Sequence, residues 1–128
     1  MTERTTATPK VLIVEDEESI GYALALIVED AGYHAIRAQH GKHAIDILQR
    51  QWPNLIMTDL MMPYMNGLEL IAWLRANANQ HLIPPIILMT AAGPRFTEET
   101  GADAQISKPF TIAEIEALLH RFLGNMTS

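Results

Sequence analysis

Three short runs, Val11-Leu12-Ile13-Val14, Leu55-Ile56-Met57-Thr58 and Ile86-Ile87-Leu88-Met89-Thr90, are apolar or β-branched at every position. Runs of this length, bounded by turn residues, read as strands, and their lack of alternation means that neither face meets water. Strands buried on both faces belong to parallel sheets covered by helices on each side. The segments between the runs supply those helices. Ile20, Leu24, Ile27, Val28 and Ala31 fall on one helical face, Ala44, Ile47 and Leu48 on a second, and Leu70, Ile71 and Leu74 on a third. Alternating strands and helices therefore predict an α/β domain with right-handed crossovers.

The punctuation agrees with that plan. Gly32 supplies a stop for the first helix. Tyr33 to Ala38 reads as a second strand, and its His34 and Arg37 suit a sheet edge. The second helix is expected from Gly41 to about Gln51, where Trp52-Pro53-Asn54 breaks it. Pro84-Pro85 ends the loop that follows the third helix. Asp103 to Ser107 is a short, half-polar last strand. Thr111 with Glu114 forms a capping box for a last helix whose inner face is Ile112, Ile115, Leu119 and Phe122, ended by Gly124. One connection is strained. Only Ala91 to Ala102 separate the last two strands, and Gly93-Pro94 and Gly101 leave Pro94 to Thr100 for a helix. Seven residues at ~1.5 Å each make about two turns, so a stunted or irregular fourth helix is expected.

Composition narrows the function classes. The chain has 128 residues, of which 48% are hydrophobic and 19% charged, as suits one globular domain. We expect a flexible N-terminal tail at 1–8, the domain over 9–124 and a C-terminal tail at 125–128, with no second domain. No cysteine is present, which excludes thiolate catalysis, thiolate metal sites and disulfides. A net charge of -6 argues against direct nucleic-acid binding. No run approaches the ~18 apolar residues of a membrane span, and the first residues lack the apolar core of a signal peptide. A cytoplasmic protein is expected, and Asn125-Met126-Thr127 is then a chance glycosylation sequon.

The chemistry gathers at strand ends. The first run is followed by Glu15 and Asp16, the third strand ends in Asp59, the fourth ends in Thr90, and the last leads into Lys108. In a parallel sheet these ends lie on one side, where open α/β folds bind their ligands. Carboxylates crowded round one hole repel, and a divalent cation relieves that most simply. Magnesium fits, because it takes a few carboxylates plus water and phosphate oxygens. A hydroxyl and an ammonium opposite would complete a phosphoryl pocket, with Asp59 as the nucleophile. Each residue also has a plainer role. Glu15 could complement the first helix, Lys108 could be a solvated loop residue, Thr90 could end a strand, and Asp59 could start a turn.

Taken together and in order, Val11-Leu12-Ile13-Val14-Glu15-Asp16-Glu17, Asp59-Leu60-Met61-Met62-Pro63 with Gly67, Thr90-Ala91 and Lys108-Pro109-Phe110 resemble the response-regulator receiver domains of two-component signalling. The match runs from about Lys10 to Leu123. The resemblance implies a flavodoxin-like, doubly wound five-stranded parallel sheet of order 2-1-3-4-5. It makes Asp59 the phosphorylation site and Mg2+ the cofactor. Asp16 would ligate the metal directly, Glu15 through water, and Met61 through its backbone carbonyl. Thr90 and Lys108 would bind the phosphoryl group, and the Lys108-Pro109 bond would be cis. The phosphodonor would be a sensor histidine kinase or a histidine phosphotransfer protein. The chain would be a switch acting on an output partner, not a turnover enzyme.

Gln105 departs from the pattern, because the family commonly has an aromatic residue there that swings inward on activation. The segment after Thr90 is also short. We expect an altered relay, through rearrangement of Ala91 to Gly101. Slow self-dephosphorylation is also expected, since neither Met61 nor Ala92 can orient a water. Other readings stay open. A phosphorylation-independent scaffold is compatible with Gln105. A magnesium-dependent phosphohydrolase would want a second acid where Met61 stands. A nucleotide or flavin site would want a glycine-rich loop where the acids stand. His40 and His43 are expected to be surface residues. Trp52, Trp73 and the methionines Met57, Met61, Met62 and Met65 are expected to serve packing.

Overall fold

The computed structural model describes residues 8–62, 65–78, 82–91 and 101–124. In chain order the elements are β1 (Lys10–Val14), α1 (Glu18–Asp30), β2 (His34–Ala38), α2 (Gly41–Leu48), β3 (Leu55–Asp59), α3 (Gly67–Asn77), β4 (Ile86–Thr90), β5 (Ala104–Ser107) and α4 (Ile112–Leu123). All strand pairs are parallel, in the order β2-β1-β3-β4-β5. The stunted helix expected at 94–100, residues 1–7 of the N-terminal tail and the C-terminal tail at 125–128 lie outside the described residues.

The doubly apolar runs serve two cores. Val11, Ile13, Met57, Ile87 and Met89 point to the face covered by α1 and α4, where they meet Leu24, Val28, Ile115 and Leu119. Leu12, Val14, Ile56 and Leu88 point to the other face and meet Ala44, Ile47, Leu70, Ile71 and Leu74 of α2 and α3. Burying one such side chain contributes roughly 1.5–3 kcal/mol. Register is therefore tightly specified, since a one-residue slip would exchange the two cores. β2 lies at the sheet edge and keeps His34 exposed.

Several boundaries differ from expectation for local reasons. Tyr33 closes α1 instead of opening β2. Its N–H donates to the Val28 carbonyl and that of Gly32 donates to Glu29, with Gly32 at φ 100°. This double closure needs the left-handed backbone that glycine adopts freely. α2 stops at Leu48, three residues before Gln51, because the Arg50 and Gln51 N–H groups both turn back to Ile47. Pro53 then offers no donor and disfavours helix at Trp52. Asp103 precedes β5, and its side chain accepts from the Ile86 N–H at 2.8 Å, which fastens the starts of β4 and β5. Gly124 follows α4 with right-handed backbone, so its end does not exploit glycine's freedom. Among the described residues no helix is long and apolar enough to cross a membrane.

Candidate functional site

Strand ends bring the acids together. Asp59 is the last residue of β3 and is buried, and the backbone of the next residue, Leu60, is clamped on two sides. The Leu60 N–H donates to Met89 of β4, and the Gly67 N–H returns to the Leu60 carbonyl at 2.8 Å. The first residue of α3 thereby sits directly under Asp59: a Cβ on Gly67 would lie 2.5 Å from the Asp59 carbonyl oxygen. Asn66 and Glu69 cap α3 reciprocally, which fixes where the helix begins.

Glu15 is also buried, just beyond β1, with its N–H bonded to Ala38 of β2. Its Oε2 accepts from the Glu17 N–H at 3.0 Å, and its Oε1 from Lys108 Nζ at 2.9 Å. Lys108 Nζ also lies 2.7 Å from Asp59 Oδ1. The lysine backbone is anchored as well, since its N–H donates to the Thr90 carbonyl at 2.7 Å, and the Lys108-Pro109 peptide is cis. Asp59 Oδ2 is buried without a hydrogen-bond partner among the described residues. An acceptor that has lost water and gained nothing in return costs on the order of 1–3 kcal/mol, so it marks a place where a ligand belongs.

Charge balance makes the same point. Burial pushes the Asp59 carboxyl up to about 8, and its shared hydrogen bond with Glu15 and the repulsion from that acid act the same way, against the pull of Lys108. Burial would raise Glu15 too, but bonds to Asp59, Lys108 and the Glu17 N–H outweigh it and hold Glu15 below the usual range. Burial works against the charge on Lys108, yet the two acids hold its value above normal. The crowding of Glu15 and Asp59 at one lysine thus pushes their proton affinities apart, Asp59 upward and Glu15 downward. Exposed Asp16 completes the set. One carboxylate oxygen from each of Glu15, Asp16 and Asp59 can be chosen so that all lie within 4.8 Å of one another. Three hard oxygen donors, one of them buried and unpartnered, fit a small divalent cation.

Glu15, Asp16, Asp59 and Lys108 therefore converge as a group. Thr90 ends β4 beside them, buried, with its hydroxyl accepting from Gln105 Nε2 at 3.3 Å. The Met61 side chain is 77% exposed, while Met57, Met62 and Met65 pack in or against the cores. Trp73 packs against the core of α2 and α3, as does Trp52, which also donates to the Leu82 carbonyl. His40 and His43 accept backbone N–H groups at the start of α2, through Nδ1 in each case. Ala92 and Gly93-Pro94, on which the expected relay and slow dephosphorylation partly rest, lie outside the described residues. Sequence reading missed three contacts: the Asn66–Glu69 box, the Asp103 clamp and the Gln105–Thr90 bond. The first was legible, since Asn66 stands three residues before Glu69.

Comparisons with known proteins agree with this geometry. The family profile described as Response regulator receiver domain matches residues 11–120. Polar-differentiation response regulator DivK of Brucella ovis is 33% identical over 122 residues, covering 92% of this chain and 98% of its own. Alkaline phosphatase synthesis transcriptional regulatory protein PhoP of Bacillus subtilis is 36% identical over 118 residues, 89% of this chain. The chain spans only about half the length of PhoP and of the phosphate regulon regulator PhoB of Klebsiella pneumoniae, 48% and 52%. Among solved structures, chemotaxis protein CheY4 of Vibrio cholerae superposes with a TM-score of 0.83 at 30% identity, covering 91% of this chain and 100% of that one. The receiver domain of a Pseudomonas aeruginosa sensor histidine kinase, solved with a magnesium ion coordinated in its active-site cleft, gives 0.80 at 27% identity, covering 92% and 99%. With the matching sheet order and the profile spanning nearly all of the described fold, the chain belongs to the response-regulator receiver domain family of two-component systems.

Proposed function

We propose that the protein is a phosphoryl-accepting switch, in which Asp59 takes a phosphoryl group from a phosphohistidine on a histidine kinase or phosphotransfer protein. The observation that carries this reading is the buried, unpartnered Asp59 Oδ2 beside Lys108 and two further carboxylates. Asp59 attacks phosphorus as the carboxylate. The P–O bond to Asp59 forms as the P–N bond to the donor imidazole breaks, and the departing imidazole takes its proton from solvent. Lys108 Nζ balances charge on the phosphoryl oxygens, and the Thr90 hydroxyl donates to one of them. Asp16, Glu15, Asp59 and the Met61 carbonyl would hold Mg2+. When bound, Mg2+ would supply positive charge opposite the phosphoryl oxygens.

A largely apolar cleft of about 480 Å³ opens beside the site, between the start of α1 (Glu17, Ser19, Ile20, Ala23) and the segment Lys108-Pro109-Phe110. Lys108 lines both cleft and acid site, which supports docking of a donor helix with its phosphohistidine directed at Asp59. In this reading the receiver unit runs over residues 9–124, works in the cytoplasm, and acts by binding an output protein or by passing the phosphoryl group on. Met61, exposed where a phosphohydrolase would carry its second acid, supports a switch over a turnover enzyme. Incubation with Mg2+ and acetyl phosphate should yield an acid-stable, hydroxylamine-labile adduct at Asp59 that Asp59→Asn abolishes. Continuous rapid phosphate release would favour the hydrolase, and no adduct would favour a phosphorylation-independent scaffold.

A further inference from the structure

Leu88 pairs in register with Gln105 and Thr90 pairs with Ser107. Side chains two residues apart on a strand share a face, so Gln105 and Thr90 are diagonal neighbours on the same side of the sheet. There the Gln105 amide donates to Thr90 Oγ1 at 3.3 Å. A hydroxyl has one proton and two acceptor lone pairs, whereas an amide nitrogen only donates. Gln105 therefore occupies a lone pair of Oγ1 and obliges the hydroxyl proton to point elsewhere. The Thr90 main chain is already committed, because its carbonyl accepts from the Lys108 N–H at 2.7 Å. The other end of Lys108 reaches Asp59 Oδ1. What remains adjustable at Thr90 is the rotation of its hydroxyl, and Gln105 is the group that sets it.

We propose that Gln105 is a positioning residue that turns the Thr90 hydroxyl proton toward a phosphoryl oxygen on Asp59, forming a relay Gln105–Thr90–phosphoryl in place of an aromatic swing. This rests on Asp59 being the phosphoryl acceptor. The relay is built from donor direction, not from side-chain bulk. A residue of equal size without a donor should therefore fail where the amide succeeds. The bond from Gln105 stays in place while the hydroxyl donates to the phosphoryl oxygen, so the β5 strand registers the event through a hydrogen bond.

The test measures the initial rate of adduct formation at Asp59 with acetyl phosphate and Mg2+. Gln105→Leu should slow it by roughly threefold or more, a coupling ordinary for residues in direct contact. Gln105→Glu keeps the size but, when ionised, accepts the Thr90 proton and holds it back. Its rate should fall further, toward that of Thr90→Ala. Both substitutions should leave the rate of Thr90→Ala unchanged. Lowering the pH should restore Gln105→Glu relative to the unsubstituted protein at the same pH, since a protonated carboxyl donates as the amide does. A Gln105→Glu rate equal to that of the unsubstituted protein would overturn the proposal, as would equal effects with and without the Thr90 hydroxyl. Failure of the phosphoryl-acceptor reading looks different, because the unsubstituted protein would then form no adduct, and the relay would fall with it.

Discussion

At the ends of β1 and β3, Glu15 and Asp59 meet the single cation Lys108 at 2.9 and 2.7 Å, with Asp16 close by. At the ends of β4 and β5, two neutral side chains, Thr90 and Gln105, share one bond of 3.3 Å. The first region is governed by charge. Removing one member strands another in a buried place, so each constrains all the rest. The bond of the second is neutral, and such a bond makes a net contribution of about 1 kcal/mol. The acidic cluster is thus tied together by charge, while the pair beside it is joined by neutral groups.

Three perturbations probe that contrast. The largest effect is expected from pH on the metal-free protein. Asp59 stands near 8 when folded against 3.8 in the free carboxyl. A carboxyl whose folded value is the higher binds its proton more tightly when folded, so its contribution is full below the unfolded value and is lost as pH rises through the folded one. Glu15, held low, contributes in the opposite sense, fully above the free-carboxyl value of 4.5 and less below it. The unfolding free energy from urea titrations should therefore fall between about pH 4 and pH 8, by on the order of a few kcal/mol. Millimolar magnesium should flatten that slope and release a proton on binding, measurable by calorimetry in buffers of different ionisation enthalpy. A slope unaffected by magnesium would separate the acids from the metal.

Lys108→Met comes next. It leaves Glu15 and Asp59 facing each other with no cation, and should cost about 3 kcal/mol near pH 8 and less near pH 5, where Asp59 holds its proton. Equal costs at both pH values would break the charge argument. Smaller again is Gly67→Ala, at about 2 kcal/mol, because the added methyl meets backbone that cannot step aside. It should also weaken magnesium binding in a titration, since it pushes on the Asp59 carbonyl. Loss of stability with unchanged metal affinity would separate α3 from the site.

The doubly apolar runs made β1, β3 and β4 legible before any coordinates, because burial on both faces leaves little freedom of composition. Gly32 announced the end of α1 for a comparable reason, a backbone conformation that few other residues adopt. The end of α2 was not legible. Gln49-Arg50-Gln51 suits helix and loop alike, and a turn back to Ile47 decided it. The convergence of Glu15, Asp16, Asp59 and Lys108 followed from the rule that parallel strands end on one side. The bond between Gln105 and Thr90 could not be foreseen. It depends on which residues become diagonal neighbours across two strands, and local sequence does not encode that register.

The close seat of Gly67 under the Asp59 carbonyl has a mechanical consequence. With no side chain between helix and strand, the Asp59 main chain has a backstop and no cushion. A group added to Asp59 cannot make room by recoiling toward α3. A glycine thereby fixes one direction in which the Asp59 main chain cannot yield.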